Sequence, residues 1–139
     1  MIEVFKLIVD FGILVLIWLV QLVIYPGFLH YSTQDLLKWH GKYTVGISII
    51  VAPLMLAQLL LHGTDSYLDL NPLNVATLLL VIATWIMTFG WAMPLHSKIN
   101  DGEQVVENVQ KLVSMNKYRT LTWTLIFLIS LIQWILELN

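Results

Sequence analysis

The stretch "VFKLIVDFGILVLIWLVQLVIY", residues 4–25, is apolar along almost its whole length. A helix needs roughly 20 such residues to cross the hydrocarbon core of a bilayer. Three further stretches, at 43–61, 73–93 and 121–136, have the same character. Hydrophobic residues make up 58% of the chain and charged residues only 12%, which departs strongly from the composition of soluble proteins. The sequence therefore predicts an integral membrane protein surrounded by a lipid bilayer.

Proline, glycine and asparagine mark where the predicted helices end, begin or bend. Pro26 is expected to end the first helix, because proline lacks a backbone donor and restricts the residue before it. Asn71 and Pro72 are expected to cap and open the third helix. Near the end of that helix, Pro94 clashes with the carbonyl of Gly90 and predicts a kink. The prediction is a single transmembrane domain, an all-α bundle of four helices at 4–25, 34–61, 72–99 and 102–137.

The distribution of basic residues predicts which face of the membrane each loop occupies. Four crossings place both termini on one side and the segments 26–42 and 95–118 on the other. Of the seven basic residues, only Lys6 lies on the first side. Because basic residues concentrate in cytoplasmic loops, both termini are expected on the non-cytoplasmic side. The basic residues on the predicted cytoplasmic side, within or next to these two segments, are Lys38, Lys42, Lys98, Lys111, Lys117 and Arg119.

Polar side chains recur at helical spacing on every predicted helix, mainly toward the cytoplasmic half. Polar groups inside a membrane are costly and are often functional. His40 and His96 end adjacent crossings and are candidates for a general base, because imidazole changes charge near neutral pH. Asn116 and Arg119 are candidates to hold a developing oxyanion. These four catalytic candidates predict a pocket open toward the cytoplasm. The expected substrate-binding residues around them are Trp18, Gln21, Tyr25, Tyr43, Thr88, Thr120 and Trp123.

Arg119 is the dominant charge of this predicted pocket. No carboxylate lies at an obvious depth to pair with it, and a desolvated guanidinium requires an acceptor. A bound anionic or carbonyl-bearing ligand is expected to supply that acceptor. The structural alternative is that Arg119 reaches lipid phosphates at the membrane interface.

Several other polar residues have a structural interpretation. The tryptophans are expected in part to form an interfacial belt, and glutamine and threonine side chains can join helices by hydrogen bonds. The segment 62–72, "HGTDSYLDLNP", predicts a turn-rich loop, so His62, like His30 in an earlier loop, is expected to be exposed. Asp10 is expected to snorkel toward the outer surface or to pair with Lys6.

Five segments carry a resemblance to known membrane proteins. They read "WLVQLVIYPGF" (18–28), "KWHGKYT" (38–44), "APLMLAQ" (52–58), "WIMTFGWAMPLHSKI" (85–99) and "LVSMNKYRTLTWT" (112–124). The pattern resembles that of small uncharacterised bacterial four-helix integral membrane proteins, which implies a location in the bacterial inner membrane. More distantly, it is similar to the membrane family that includes the fungal anthrone oxygenases, although His96 stands where that family has an asparagine. This second resemblance implies oxidation of a phenolic ring without an evident cofactor.

The leading functional hypothesis is a membrane-embedded enzyme that acts on a hydrophobic, carbonyl- or phenol-bearing substrate entering from the lipid. An oxygenase-like reaction without a cofactor fits this set, because it needs a base, an anion-stabilising group and a dry cavity. One alternative is a haem- or quinone-binding protein, with His40 and His96 as axial ligands of haem b and Arg119 on a propionate. The other alternative is a structural or accessory subunit of a homo-oligomer or larger membrane complex.

The sequence argues against several other kinds of site. It contains no cysteine, which excludes disulfides, thiolate chemistry and cysteine-ligated zinc. No metal site is predicted, because no carboxylate is placed to complete a set with the histidines. Nucleic acid is not an expected partner, since the basic residues do not form a cluster. The expected partners are the bilayer and a hydrophobic small molecule, and no cofactor is favoured.

Overall fold

The structure is an all-helical bundle, obtained as a computed structural model that describes residues 2–137. Its four long helices are α1 (Ile2–Phe28), α2 (Thr33–Leu68), α3 (Pro72–Asn100) and α4 (Val105–Glu137). Each helix packs against its neighbours in the sequence, and α1 also packs against α4, which closes the bundle. All four helices are long and apolar enough to cross a membrane, which confirms the predicted fold class of an integral membrane protein.

Large apolar side chains cover the outward faces of the helices. Ile49 on α2, Leu79 on α3 and Leu121 on α4 are all mostly exposed, whereas Val81 and Ile126 are completely buried between helices. An apolar surface of this extent is unfavourable in water. The distribution therefore suits a bundle surrounded by hydrocarbon, in which the helices satisfy their own backbone groups.

Helix α3 begins at the predicted cap. The Asn71 side-chain oxygen accepts hydrogen bonds from the backbone N–H groups of Leu73 and Asn74, at 3.0 and 2.9 Å, and Pro72 occupies the first turn. Helix α2 begins in the same way, at Ser32. Both caps satisfy donors that have no partner within the helix itself.

Helix α1 does not end at Pro26 as predicted but continues to Phe28. A π-helical turn, Val20–Ile24, precedes the proline, and in it the N–H of Tyr25 bonds to the carbonyl of Val20. The wider turn changes the backbone hydrogen-bond pattern ahead of the proline, so that the helix passes through it. Tyr25 is thereby held inside the bundle, where it is buried.

A second π-helical turn, Thr88–Ala92, interrupts α3 at Gly90, where the sequence predicts a kink. The N–H of Met93 bonds to the carbonyl at the start of this turn, one residue beyond its α-helical partner. Pro94 follows in the first turn of the segment that carries His96. Helices α1 and α3 therefore contain the same kind of π turn, each near a residue of the candidate site.

The segment 62–72 is not the predicted loop, because α2 extends through it as far as Leu68. His62 and Ser66 lie on the buried face of this extension. The Ser66 hydroxyl donates to the Asn74 carbonyl at 3.0 Å, and the buried His62 and Asp65 side chains of this extension are bonded to Asp10 and Lys6. These tertiary contacts outweigh the turn tendency of the individual residues.

Helix α4 begins at Val105 rather than at 102, because the turn before it is longer than predicted. Gly102 adopts a φ of 76° and donates its N–H to the Ile99 carbonyl at 3.1 Å. The N–H of Glu103 donates to the Lys98 carbonyl at 2.9 Å. This pair of bonds forms a Schellman cap, which ends α3 with a left-handed glycine.

Replacing Gly102 by alanine should lower the free energy of unfolding by about 1–2 kcal/mol. The added Cβ would have room, since it would lie 3.9 Å from the nearest Leu37 atom, so the cost arises from the backbone conformation. Reversible unfolding in mixed detergent micelles measures this change. Gly46→Ala is the matched control: its Cβ would meet nothing within 4 Å inside α2, and alanine should raise stability by about 0.5–1 kcal/mol there. Equal effects of the two substitutions would contradict the left-handed turn.

Candidate functional site

Four side chains form a continuous hydrogen-bonded chain at one end of the bundle. The hydroxyl of Tyr25 on α1 lies 2.9 Å from Nε2 of His96 on α3. His96 Nδ1 lies 3.0 Å from Nε2 of His40 on α2, and His40 Nδ1 lies 2.7 Å from Oδ1 of Asn100 on α3. Tyr25 and His40 are buried whereas Asn100 is exposed. The chain, referred to below as the relay, therefore connects the interior of the bundle with its surface.

The direction of each hydrogen bond in the relay follows from Asn100. Its side-chain oxygen can only accept, so the proton of His40 is on Nδ1. In a neutral imidazole the other nitrogen is an acceptor, so His40 Nε2 receives the N–H of His96 Nδ1. His96 Nε2 is then also an acceptor, and it receives the Tyr25 hydroxyl. His96 therefore presents an acceptor lone pair to the phenol.

Aromatic rings enclose the two imidazoles. The Phe28 ring packs edge-on against His40 and Tyr43, with centroids 5.3 and 5.0 Å apart. The rings of His40 and His96 lie 5.1 Å apart. Phe28 and His40 are themselves buried, so this packing excludes bulk water from the histidine pair at the end of the bundle.

Arg119 is buried among neutral partners. Its Nη1 donates to Asn116 Oδ1 at 3.0 Å, and Asn116 in turn donates to Gln21 Oε1 at 3.0 Å. The guanidinium carbon lies 5.0 Å from the centre of the Trp123 ring. Its Nε is buried without a hydrogen-bond partner among residues 2–137, and no described carboxylate pairs with it. With 6% of its surface exposed, Arg119 does not extend to the interface as a snorkelling side chain would.

A cavity of about 330 Å³ lies beside the relay and Arg119. Ligand pockets commonly occupy about 300–1,000 Å³ and are mainly apolar with a few polar groups that fix orientation. The wall of this cavity follows that pattern, because most of its lining residues are aliphatic or aromatic. The polar side chains in the wall are Tyr25, Tyr43, Ser48, Thr88, His96 and Arg119.

The cavity opens sideways between α2 and α3. Among its lining residues, Ser48 and Ala52 on α2 and Phe89 and Met93 on α3 are exposed, whereas those from α1 and α4 are buried or half-buried. This differs from the predicted opening toward the cytoplasm, since Tyr25 and Tyr43, which line the cavity at the relay end, are buried. The mouth is therefore on a surface that hydrocarbon chains would cover in a membrane.

Most of the residues predicted for the site meet at this cavity. Trp18 and Thr120 do not line it: the Trp18 indole is directed to Thr124, and the Thr120 hydroxyl donates to the Asn116 carbonyl. Three predicted residues do not line the cavity but form hydrogen bonds with lining residues or with one another: Gln21, His40 and Asn116. Predicted residues that line the cavity are Tyr25, Tyr43, Thr88, His96, Arg119 and Trp123.

A second buried polar group, here called the Asp10 cluster, was not predicted. The Asp10 carboxylate accepts hydrogen bonds from Gln58 at 2.7 Å, Ser130 at 2.6 Å and His62 at 3.1 Å. Asp10 and His62 are only 1% and 2% exposed. The predictions of a snorkelling or Lys6-paired Asp10 and of an exposed His62 are therefore wrong. The extension of α2 carries His62 into the interior, where it supplies a partner that a buried carboxylate requires.

Lys6 is the centre of a neighbouring charged group, here called the Lys6 cluster. Its ammonium group donates to Glu3 at 3.0 Å and to Asp65, and it lies 3.5 Å from the Gln133 side-chain oxygen. Lys6 is 1% exposed, so all of these bonds are shielded from solvent. The ends of α1, α2 and α4 are held together by this cluster.

A pattern in the sequence could have revealed the α2 members of both clusters. Gln58, His62 and Asp65 recur at spacings of four and three, which puts them on one face of a helix. Gly63 and the turn-forming residues after it concealed that face. Gln58 also accepts from the Trp123 indole at 3.0 Å, which connects the Asp10 cluster to the cavity wall.

The two histidines of the relay do not have the geometry of axial haem ligands. Their facing nitrogens, His40 Nε2 and His96 Nδ1, are 3.0 Å apart and bonded to each other. A metal ion at about 2 Å from each of two ligand nitrogens would hold opposite nitrogens about 4 Å apart, with the porphyrin plane between them. The outer nitrogens are bonded to Asn100 and Tyr25. No group of three or more metal-binding side chains occurs in the part of the chain that the structure describes.

The site combines an imidazole that accepts a hydrogen bond, a phenol and an unpaired guanidinium nitrogen beside an apolar cavity. Comparisons with protein-family models, with curated proteins and with solved structures give no match for this chain. The geometry of these groups is therefore the basis for a functional proposal.

Proposed function

We propose that this chain is a membrane-embedded enzyme that acts on a hydrophobic, carbonyl- or phenol-bearing substrate. One observation carries the proposal: an apolar cavity, open toward the lipid-facing surface, is lined by Tyr25, His96 and the partly unpaired Arg119. A lipid-soluble molecule can enter such a cavity without crossing an aqueous phase. Its polar group would then meet a base and a cation in a space with little water.

Proton transfer is the chemistry that the relay supports. A substrate O–H, or a C–H beside a carbonyl, loses its proton to the Tyr25 oxygen while the Tyr25 proton moves to His96 Nε2. The His96 Nδ1 proton can then pass to His40 Nε2, so that the positive charge is next to Asn100 at the surface. The substrate keeps the electron pair of the broken bond and becomes an enolate or phenolate. General-base catalysis of this kind contributes about 10²–10⁴-fold to a rate.

Arg119 would stabilise the anion that this step produces. A buried guanidinium without a carboxylate partner is costly, and an oxyanion beside it removes that cost. The same charge does less for a neutral substrate, so Arg119 favours the ionised form over the bound ground state. Asn116 holds the guanidinium in place through its 3.0 Å hydrogen bond.

An oxygenase-like outcome is consistent with this first step. An enolate or phenolate is electron-rich, and molecular oxygen, as the co-reactant, is itself apolar and soluble in the hydrocarbon around the mouth. The proposed oxidoreductase activity rests on the distant resemblance to the anthrone oxygenases. The proposed location in a bacterial inner membrane rests on the closer resemblance to small bacterial four-helix membrane proteins. The basic residues near the relay support a cytoplasmic location for this end of the bundle.

The assay is deuterium exchange at the α-carbon of a long-chain methyl ketone, catalysed by the purified protein in D₂O. Replacing Arg119 by methionine should lower the rate of this exchange by about 10²–10³-fold. The reason is that the enolate loses its counter-charge. Mass spectrometry of the extracted ketone measures the exchange. Lys117→Met is the matched control, because it removes an exposed charge from the same helix and should exchange at the parental rate. An Arg119→Met protein that is folded and equally active would refute the proposed function.

The organic extract of the gently purified protein provides an independent check. A hydrophobic carbonyl or phenol compound should copurify with the parent and with Lys117→Met, and it should be lost from Arg119→Met. Retention of a compound without any turnover would favour the carrier alternative, in which the cavity holds a quinone-like molecule. A parent protein without any bound molecule or exchange activity would favour the structural alternative.

A further inference from the structure

Trp85 is a second residue of the cavity wall with an unpaired donor. Its indole N–H is buried and has no hydrogen-bond partner within the described range 2–137. Trp85 lines the same cavity as Arg119, and its ring is stacked on Phe89 with centroids 5.5 Å apart. By contrast, the indole of Trp123, which also lines the cavity, is paired with Gln58.

Buried donors without a partner are rare in folded proteins, because each one has lost its hydrogen bonds to water without replacement. Two side-chain donors of this kind occur among residues 2–137, Trp85 Nε1 and Arg119 Nε, and both belong to residues that line one cavity. The cost of both would be removed if a bound molecule supplied an acceptor to each. The presence of both unpaired donors at one cavity therefore indicates that the bound molecule carries hydrogen-bond acceptors.

The positions of the two donors along the bundle follow from their neighbours on α3. Arg119 lines a small void together with Trp91 and Ala92 of α3, which puts its side chain near their level. Trp85 lies about two helical turns from this level, which is roughly 10 Å along the axis. With hydrogen bonds of about 2.9 Å at either end, the two acceptors would be on the order of 5–10 Å apart. A single carbonyl or phenol group cannot reach both donors.

We propose that the molecule bound in this cavity carries two separate acceptor oxygens, one at Arg119 and a second, uncharged one at Trp85. This inference rests on the proposed function, which assigns the reactive group to the Arg119 end. The second oxygen is uncharged because Arg119 is the only formally charged side chain of the cavity wall within the described residues. The wall beyond it includes Ile13, Val51 and Met55, and a carboxylate there would be desolvated without a counter-ion. A ketone, quinone or ester oxygen meets the requirement.

Trp85 is therefore a specificity-determining residue. It distinguishes a molecule with acceptors at both ends from one of the same length with a single acceptor. It also fixes which end of the molecule lies beside the relay, since the far oxygen is held about two turns away.

Binding of linear diketones of increasing carbonyl separation, each compared with the monoketone of the same length, tests the proposal. In calorimetry with the full chain in lipid nanodiscs, the diketone of matching separation should bind about tenfold more tightly than its monoketone. Trp85→Phe keeps an aromatic ring but removes the N–H, and it should abolish this difference without weakening the monoketone. Trp39→Phe, at an exposed position outside the cavity, is the matched control and should retain the difference.

Two further measurements separate recognition from a structural role. In protein labelled with ¹⁵N-tryptophan, the indole N–H signal that Trp85→Phe removes should move downfield on addition of the diketone but not of the monoketone. The ligand-free Trp85→Phe protein should melt at the parental temperature or above it, because the substitution removes a buried unpaired donor. Equal binding of both ketones at every separation, or an unchanged preference in Trp85→Phe, would overturn the second acceptor site and leave the proposed function intact. Failure of every ketone to bind the parent would overturn both.

Discussion

Replacing Lys6 by methionine should lower the free energy of unfolding by about 3–5 kcal/mol. Lys6 is 1% exposed and donates to the carboxylates of Glu3 and Asp65. Methionine has a similar length and fills the space, so the loss is that of the cation and not of packing. The Asp65 carboxylate would then be buried without its counter-charge, which costs far more than the ion pair contributes when it is complete. Reversible unfolding in mixed detergent micelles, followed by circular dichroism, measures the change.

Lys38→Met is the matched control for this substitution. Lys38 also forms an ion pair with a carboxylate, at 3.2 Å from Asp35, but its side chain is 76% exposed. Exposed ion pairs contribute little to stability, so this variant should unfold almost as the parent does. Adding Asp65→Asn to Lys6→Met should restore part of the lost stability, because it removes the carboxylate that lost its counter-charge. Equal destabilisation by Lys6→Met and Lys38→Met would contradict this prediction, because burial of the Lys6 cluster would then not increase the contribution of Lys6 to the free energy of unfolding.

Replacing His96 by glutamine should reduce ketone deuterium exchange by about 10²–10⁴-fold. His96 is the only relay member that offers a basic nitrogen directly to Tyr25, at 2.9 Å, within the described residues. Glutamine can still form hydrogen bonds, but it cannot accept a proton at neutral pH. The affinity for the ketone should be preserved, because Arg119 still holds its oxygen. The contrast between an unchanged binding constant and a much lower exchange rate is the expected signature of a lost base.

His30→Gln controls for the chemical change itself. His30 is exposed in the turn before α2, so its loss should alter neither binding nor exchange. A His96→Gln protein that melts at the parental temperature and still exchanges at the parental rate would exclude His96 as the base. Parental exchange in a folded Tyr25→Phe protein would likewise show that the phenol does not pass the proton on.

The fold could be predicted from hydropathy because each apolar stretch is long enough to span a bilayer and is closed by recognisable turn residues. The meeting of His40 with His96 could also be expected, since both end adjacent crossings on one side of the membrane. Asn116 and Arg119 followed from their spacing of three on one helical face. In each of these cases the information is local to one helix or depends only on the direction of crossing.

Features that depend on contacts between helices could not be predicted. The burial of Asp10 requires His62 and Ser130, which lie on two other helices, to arrive at the same depth. The role of Asn100 depends on where α3 ends relative to His40. The lateral mouth of the cavity depends on the gap between α2 and α3, and no residue type indicates such a gap.

Both π turns have a further consequence for how the site is encoded. Each inserts one residue ahead of Tyr25 or His96, and one residue corresponds to about 100° of rotation about a helix axis. Deleting a single residue from Val20–Ile24 or Thr88–Ala92 would allow an ordinary helix to form, and it would turn the downstream side chains away from the bundle axis toward the acyl chains. The alignment of the Tyr25 phenol with the His96 imidazole thus depends on the rotation that each π turn adds to its helix. A chain that kept every site residue but lost one π turn would have no relay.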